Sequence, residues 1–165
     1  MYKKITIVDD TDAVIGYADY PDAIARGLLR RVVRVFVFDE DGRQLLQKRS
    51  QFISFPFLLD QAAGGHVDEG EDYAEAAARE MEEEIGLRNI ELHEIALSHR
   101  TDVFNGIFKA IVPAGTEIQF NPEEVSAVYW MTEAELERKI AEEPETFIQG
   151  YIDIWRSFRD TLIGK

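Results

Sequence analysis

Apolar and polar positions along the chain change from a two-residue to a three-to-four-residue period several times, and each change marks a strand or a helix. Ile5–Val8 and Ala13–Tyr17 flank the turn-like Asp9-Asp10-Thr11-Asp12 and predict a pair of short N-terminal strands. Arg31–Asp39, RVVRVFVFD, is β-branched and aromatic and predicts a central strand. Glu40-Asp41-Gly42 then reads as a turn, with Gln44–Lys48 returning as the partner strand. Gln51–Asp60 shows no period and reads as irregular. Ile90–Ser98, Val103–Val112 and Val125–Met131 predict three further strands.

Three segments carry the helical period. In Asp72–Ile85, Asp72 is placed to cap, with Glu75 at capping-box spacing, and Gly86 supplies the left-handed position that ends the helix. Ala74, Ala78, Met81 and Ile85 are expected to form its apolar stripe. Thr132–Glu142 reads as a second helix capped by Thr132. Phe147, Tyr151, Ile154, Trp155, Phe158 and Leu162 repeat at three- and four-residue spacing and predict a C-terminal helix, about 144–163. Together these elements predict an α/β chain, a mixed sheet between helices, as one domain over 1–165 with strands at about 1–20 as an extension.

Composition changes this picture little, but charge changes it more. The chain of 165 residues has room for one core, and 45% hydrophobic residues with 30% charged is ordinary for a soluble globular protein. Met1–Asp10 has no apolar signal region, and no run is long enough to span a bilayer, so a cytoplasmic protein without a membrane partner is expected. There is no cysteine, which excludes disulfides and thiol chemistry. A net charge of −14 would repel a nucleic-acid polymer and equally any small phosphorylated substrate. Divalent cations resolve that conflict.

The acids concentrate between Asp68 and Glu84, where Arg79 is the lone base. On a helix Glu80, Glu83 and Glu84 fall within an arc of about 100°. Three carboxylates on one face repel unless neutralised, and hard Mg²⁺ or Mn²⁺ takes such oxygen ligands. Glu75 and Glu82 fall on the opposite, solvated side. Gly64-Gly65, where the chain leaves a strand, permits a close approach or a tight turn, and a carbonyl there could complete a coordination shell.

The segment GHVDEGEDYAEAAAREMEEEIGL resembles the Nudix box: Gly, five residues, Glu, seven residues, Arg-Glu-apolar-x-Glu-Glu-x-Gly-apolar. Gly65, Glu71, Arg79, Glu80, Met81, Glu83, Glu84, Gly86 and Leu87 fill every specified position. A chance match at nine positions is on the order of one in a billion starts. The resemblance implies a Nudix-like α/β/α sandwich and metal-dependent hydrolysis of a diphosphate linkage in a nucleoside diphosphate-X type substrate. It implies Glu83 and Glu84 as principal metal ligands and catalytic residues, Glu80 and the Gly65 carbonyl as further ligands, and Glu71, Arg79 and Gly86 as structural residues of the motif. A catalytically silent Nudix module that binds a nucleotide or regulates a partner is the alternative.

More loosely, VDDTDAVIGYADY, RVVRVFVFDEDGRQLLQKRS and NPEEVSAVYWMTEAEL resemble the Nudix branch that includes isopentenyl-diphosphate isomerase and hydrolase-like relatives. That isomerase needs a catalytic cysteine, absent here, which moves the expectation to hydrolysis. Outside the box, Glu124, with Glu123 beside it, is the candidate general base. Arg49 and Lys48 are candidates to hold substrate phosphates. Phe55, with Phe52 and Phe57, could stack on a planar group, although at least two of the three are expected in the core. His66 is expected to have a local structural role, and His99 and Arg100 are further candidate contacts at a strand end. The N-terminal strands and C-terminal helix offer surface for a homodimer.

Overall fold

The computed structural model describes residues 3–164; residues 1, 2 and 165 of the expected span lie outside them. The elements in chain order are β1 (Lys4–Val8), β2 (Val14–Asp19), α1 (Tyr20–Ala25), β3 (Arg30–Asp39), β4 (Gln44–Arg49), β5 (Leu59–Gln61), β6 (Ala63–His66), α2 (Tyr73–Ile85), β7 (His93–Arg100), β8 (Val103–Val112), β9 (Val125–Met131), α3 (Glu133–Glu142) and α4 (Gln149–Ile163). Among these residues nine strands form one mixed sheet.

Strand β3 is its hub. It runs parallel to β8 along its full length and antiparallel to β6, β4 and β1 in successive stretches. β4 in turn carries β5 and β9, and β2 joins through β1. Successive side chains of β3 point to opposite faces. Val33, Val35 and Val37 enter a core with Ala76, Ala77, Met81 and Ile85 of α2. Phe36 and Phe38 enter a second core with Leu136 and Ile140 of α3 and Ile154 and Trp155 of α4. The result is a sheet sandwiched between helices, as expected. A smaller cluster of Ile5, Ile7, Ala18 and Ala23 seals the N-terminal strands and α1.

Several elements differ from the sequence reading. α1 was not anticipated; Pro21 at its start, where a missing N–H does no harm, is the local signal for it. β5 and β6 are short and pair only with strands distant in sequence, so no local period announces them. The C-terminal helix begins at Gln149, because Pro144–Thr146 forms a separate 3-10 turn. The stripe on α2 is also corrected: Ala74 and Ala78 are exposed, while Ala76 and Ala77 are fully buried. Alanine carries so weak a hydrophobic signal that four of them in one helix do not show which two face inward. No described helix is long and apolar enough to cross a membrane.

Candidate active site

The ends of α2 are fixed by local chemistry, and that fixes where its glutamates point. The Asp72 carboxylate accepts from the Glu75 N–H at 2.8 Å, and the Glu75 carboxylate accepts from the Asp72 N–H at 2.9 Å. Gly86 closes the helix at φ 71°. Glu80 and Glu84 turn towards the sheet and are buried, Glu83 keeps a side chain 44% exposed, and Glu75 and Glu82 face water. The metal-facing and core-facing sides expected of this helix therefore overlap.

Glu84 is held from two sides. Its carboxylate accepts the Gly64 N–H at 3.1 Å and the Gln47 side-chain amide at 2.5 Å. Its main-chain carbonyl accepts the N–H of Asn121, whose own carbonyl accepts that of Glu124. The Asn121 side chain donates to Glu124 at 3.3 Å, and the Glu124 carbonyl accepts the Ser50 N–H. This chain of contacts brings the loop before β9 against α2. Carboxylate oxygens of Glu80, Glu84 and Glu124 consequently lie within 4.8 Å of one another.

These acids are under electrostatic stress. Burial pushes the Glu80 carboxyl up to about 7 against the pull of Arg79, with Glu83 and Glu124 adding repulsion. Burial also raises Glu84, followed by the charges of Glu80 and Glu124, and raises Glu124, followed by that of Glu83. Oxygen-only donors, converging and short of positive charge, are what a hard divalent cation fits.

Arg79 is the most engaged base at their edge, where Lys3 also stands 3.8 Å from Glu83. It donates bidentately to Glu71, at 2.6 and 2.9 Å, and to Glu80 at 2.8 Å, Glu83 at 3.3 Å and the His66 carbonyl at 3.0 Å. Burial of Glu71 opposes its ionisation, but Arg79 outweighs burial and holds that carboxyl below its usual range. Glu71 also accepts the Asp68 N–H, closing the loop that enters α2.

Gly64 and Gly65 lie inside β6, opposite Arg34 and Val33, rather than in a turn. Neither has a positive φ. A Cβ on Gly64 would stand 2.6 Å from the Val33 carbonyl, and one on Gly65 would stand 2.5 Å from the carboxyl carbon of Glu80. Close approach, not a turn, requires these glycines.

Two adjoining hollows, of about 360 and 540 Å³, share Tyr20, Gly64, Gly65 and His66. The smaller holds Glu80, Glu83 and Glu124 with Arg79. The larger extends over Arg30, Arg34, Arg49, Asp60 and Gln61 to Phe55. A third hollow of about 560 Å³ lies between β9 and α3 on Tyr129, Trp130 and Arg138, and contains no residue of the box.

Arg49 thus lines the cleft, with Asp60 at 3.5 Å and the Ser54 carbonyl at 2.7 Å. Lys48 does not. One residue earlier on β4, it points to the other face, above the Phe57 ring at 5.8 Å. Phe55 borders the cleft and is 64% exposed; Phe52 and Phe57 are 71% and 53% exposed, so the expectation of core packing fails. Arg49 holds the Ser54–Phe55 part of that loop at the cleft mouth. His66 accepts from Arg30 at 3.1 Å and meets the Tyr20 ring edge-on, and burial followed by the Arg30 charge pushes it down to about 4. His99 stacks on Phe104, and Arg100 pairs with Asp153 at 2.6 Å, so both have structural partners.

Sequence reasoning missed the polar lining of the larger hollow. Arg34, Asp60, Gln61 and Asn105 form a buried network there. The available signal was an arginine inside RVVRVFVFD and an asparagine inside VFNGIFKAIV, polar side chains where a buried strand should be apolar.

Comparisons with known proteins agree with this arrangement. Residues 28–151 match the NUDIX domain family. An uncharacterized Nudix hydrolase of Streptomyces coelicolor is 34% identical over 145 residues, covering 84% of this chain and 79% of that protein. A protein of Jannaschia sp. named isopentenyl-diphosphate Delta-isomerase is 32% identical over 151 residues, covering 86% and 85%. The crystal structure of DR0079 from Deinococcus radiodurans superposes with a TM-score of 0.74 at 28% identity, covering 86% and 90%. With the box intact on α2, its acids converging beside Gly65, and relatives of this kind along most of its length, the chain belongs to the Nudix family and is a Nudix hydrolase.

Proposed function

We propose that the chain hydrolyses the diphosphate linkage of a nucleoside diphosphate-X type substrate, using Mg²⁺ or Mn²⁺ held by Glu80, Glu83, Glu84 and the Gly65 carbonyl. The observation that carries this reading is the convergence of Glu80, Glu84 and Glu124 within 4.8 Å, with Glu80 and Glu124 lining an open hollow. A bound cation supplies neutralisation of the diphosphate oxygens and acidification of the attacking water.

The remaining work falls to side chains. Glu124, anchored by Asn121 on a loop outside the helix, takes the proton of that water; its raised affinity for a proton suits a base of this kind. Gln47 and the Gly64 N–H keep Glu84 oriented, and Arg79 does the same for Glu80. Arg49 meets a phosphate oxygen from the opposite wall, and Phe55 covers a planar group at the mouth. Lys48, on the other face of β4, has no part in this reading.

Isomerisation, the activity in the name of the Jannaschia relative, is not proposed, since the chain has no cysteine. A hydrolysis screen with Mg²⁺ over nucleoside di- and triphosphates, nucleotide sugars, dinucleoside polyphosphates and isoprenoid diphosphates tests the proposal. Activity on at least one nucleoside diphosphate-X compound, lost more than about 100-fold in Glu83→Gln and Glu84→Gln, is expected. A wild type inactive throughout, or variants with unchanged activity, would overturn it.

A further inference from the structure

Arg34 stands in the middle of β3 among valines and phenylalanines, a position where a guanidinium is expensive to desolvate. Burial pulls its pKa down, although Asp60 opposes this. Its Nε donates to Asn105 at 2.8 Å, and its Nη1 donates to Gln61 at 3.1 Å with Asp60 at 3.9 Å. Asn105 is itself completely buried and donates on to the Ser98 carbonyl. Nη2 meets no acceptor among the described residues. A network so fully committed to holding one guanidinium still leaves one of its nitrogens free at the cleft.

The rest of this hollow is also rich in donors. Arg30, Arg34 and Arg49 line it against Asp60 and Asp102. Beyond the lining residues, the buried Nη1 of Arg100, whose charge reaches Arg34, has no partner. A buried donor left unpaired is costly, so a ligand with acceptor oxygens is favoured here and a hydrocarbon is penalised.

The geometry points to Arg34 as a substrate-contacting, specificity-determining residue that receives, beside the phosphate-holding Arg49, an oxygen-rich group such as a sugar joined to the diphosphate. This deepens the diphosphate-hydrolase reading and rests on it. An isoprenoid chain, which offers no acceptor, is excluded by the same contacts.

The test compares wild type and Arg34→Met with Mg²⁺ on two substrates, the better of ADP-ribose and UDP-glucose against geranyl diphosphate. Wild type should favour the nucleotide sugar by roughly 100-fold or more in kcat/KM. Arg34→Met should lower that ratio at least about tenfold, chiefly through KM. A purely structural role would depress both substrates alike and leave the ratio unchanged, which overturns the inference while leaving the hydrolase reading intact. A wild-type preference for geranyl diphosphate overturns it too. If Arg34→Met does not fold, Arg34→Lys carries the same comparison, with a severalfold fall in the ratio expected. Should wild type hydrolyse neither substrate, calorimetric titration with ADP-ribose decides: tenfold weaker binding by the variant upholds Arg34 as the contact and leaves the hydrolase reading to the wider screen, while equal or absent binding overturns the inference.

Discussion

Gly65 lies directly beneath Glu80, so close that a single added Cβ would collide with the glutamate's carboxyl group. The box begins and the helix carries its acids fifteen positions apart, yet they meet because β6 pairs with β3 and α2 packs back across it. Gly65→Ala should therefore displace Glu80 and disturb the acid cluster. We expect kcat/KM to fall by about 10- to 100-fold and stability by about 1–3 kcal/mol, as for other overpacked sites. Steady-state kinetics beside urea unfolding would check both, and wild-type activity in the variant would show that the contact has no functional weight.

The repulsion among the acids makes a prediction about pH. The folded-state pKa of Glu80 is raised to about 7, and those of Glu84 and Glu124 are raised as well. A raised carboxylate pKa means the folded chain binds protons more tightly than the unfolded one, so stability declines as pH rises from the ordinary glutamate range through the folded value. Without metal, the melting temperature should be lower at pH 8 than at pH 5.5, with Mg²⁺ narrowing the difference. Differential scanning calorimetry at the two pH values, with and without Mg²⁺, reads this directly. A metal-free protein that is equally stable at both would contradict the electrostatic account.

Removing one of those charges should separate activity from stability. Glu84→Gln keeps an oxygen acceptor for the Gly64 N–H but deletes a buried charge. We expect the metal-free variant to be about 1 kcal/mol more stable than wild type while losing its hydrolytic activity. A variant less stable than wild type in the absence of metal would count against this.

Glu71 should behave in the opposite way. It stands outside the carboxylate cluster and anchors Arg79 at two points, so Glu71→Gln is expected to destabilise by about 1–3 kcal/mol. Its effect on a chemical denaturation midpoint should exceed that of Glu75→Gln at the exposed start of the helix.

Neighbours on β4 offer a sharper contrast. Arg49→Ala should raise KM about 10- to 100-fold, since a charge-assisted phosphate contact is lost. Lys48→Ala, one position away on the opposite face, should leave KM within about twofold. Equal effects from the two would mean that the cleft is not where substrate sits.

What could be read from the sequence was what neighbouring residues decide among themselves. The Asp72–Glu75 and Thr132–Glu135 capping boxes, the Gly86 terminus and the helical spacing of Glu80, Glu83 and Glu84 are all local. What escaped was decided by pairing across the chain. β5 and β6 acquire their strand form from β4 and β3, and the two glycines of β6 are small because of Glu80 and Val33, not because of their own torsions. Glu80 and Glu84, polar by type, proved to be among the buried residues of α2, which shifted its apolar stripe to Ala76 and Ala77. Arg34 is visible in the sequence only as an interruption; its meaning comes from Asn105 and Gln61, far along the chain.

Strand β3 works as a ruler graduated in twos. Its odd-numbered valines belong to the α2 core, while Arg34, Phe36 and Phe38 look towards the larger hollow or the α4 core. Exchanging side chains at positions 30, 32 and 34 would therefore reshape that hollow without disturbing the wall behind α2. A single inserted or deleted residue in this strand would do the reverse. It would thrust a guanidinium into packed valines and leave the hollow lined with hydrocarbon, so variation here is open to substitution and closed to changes of length.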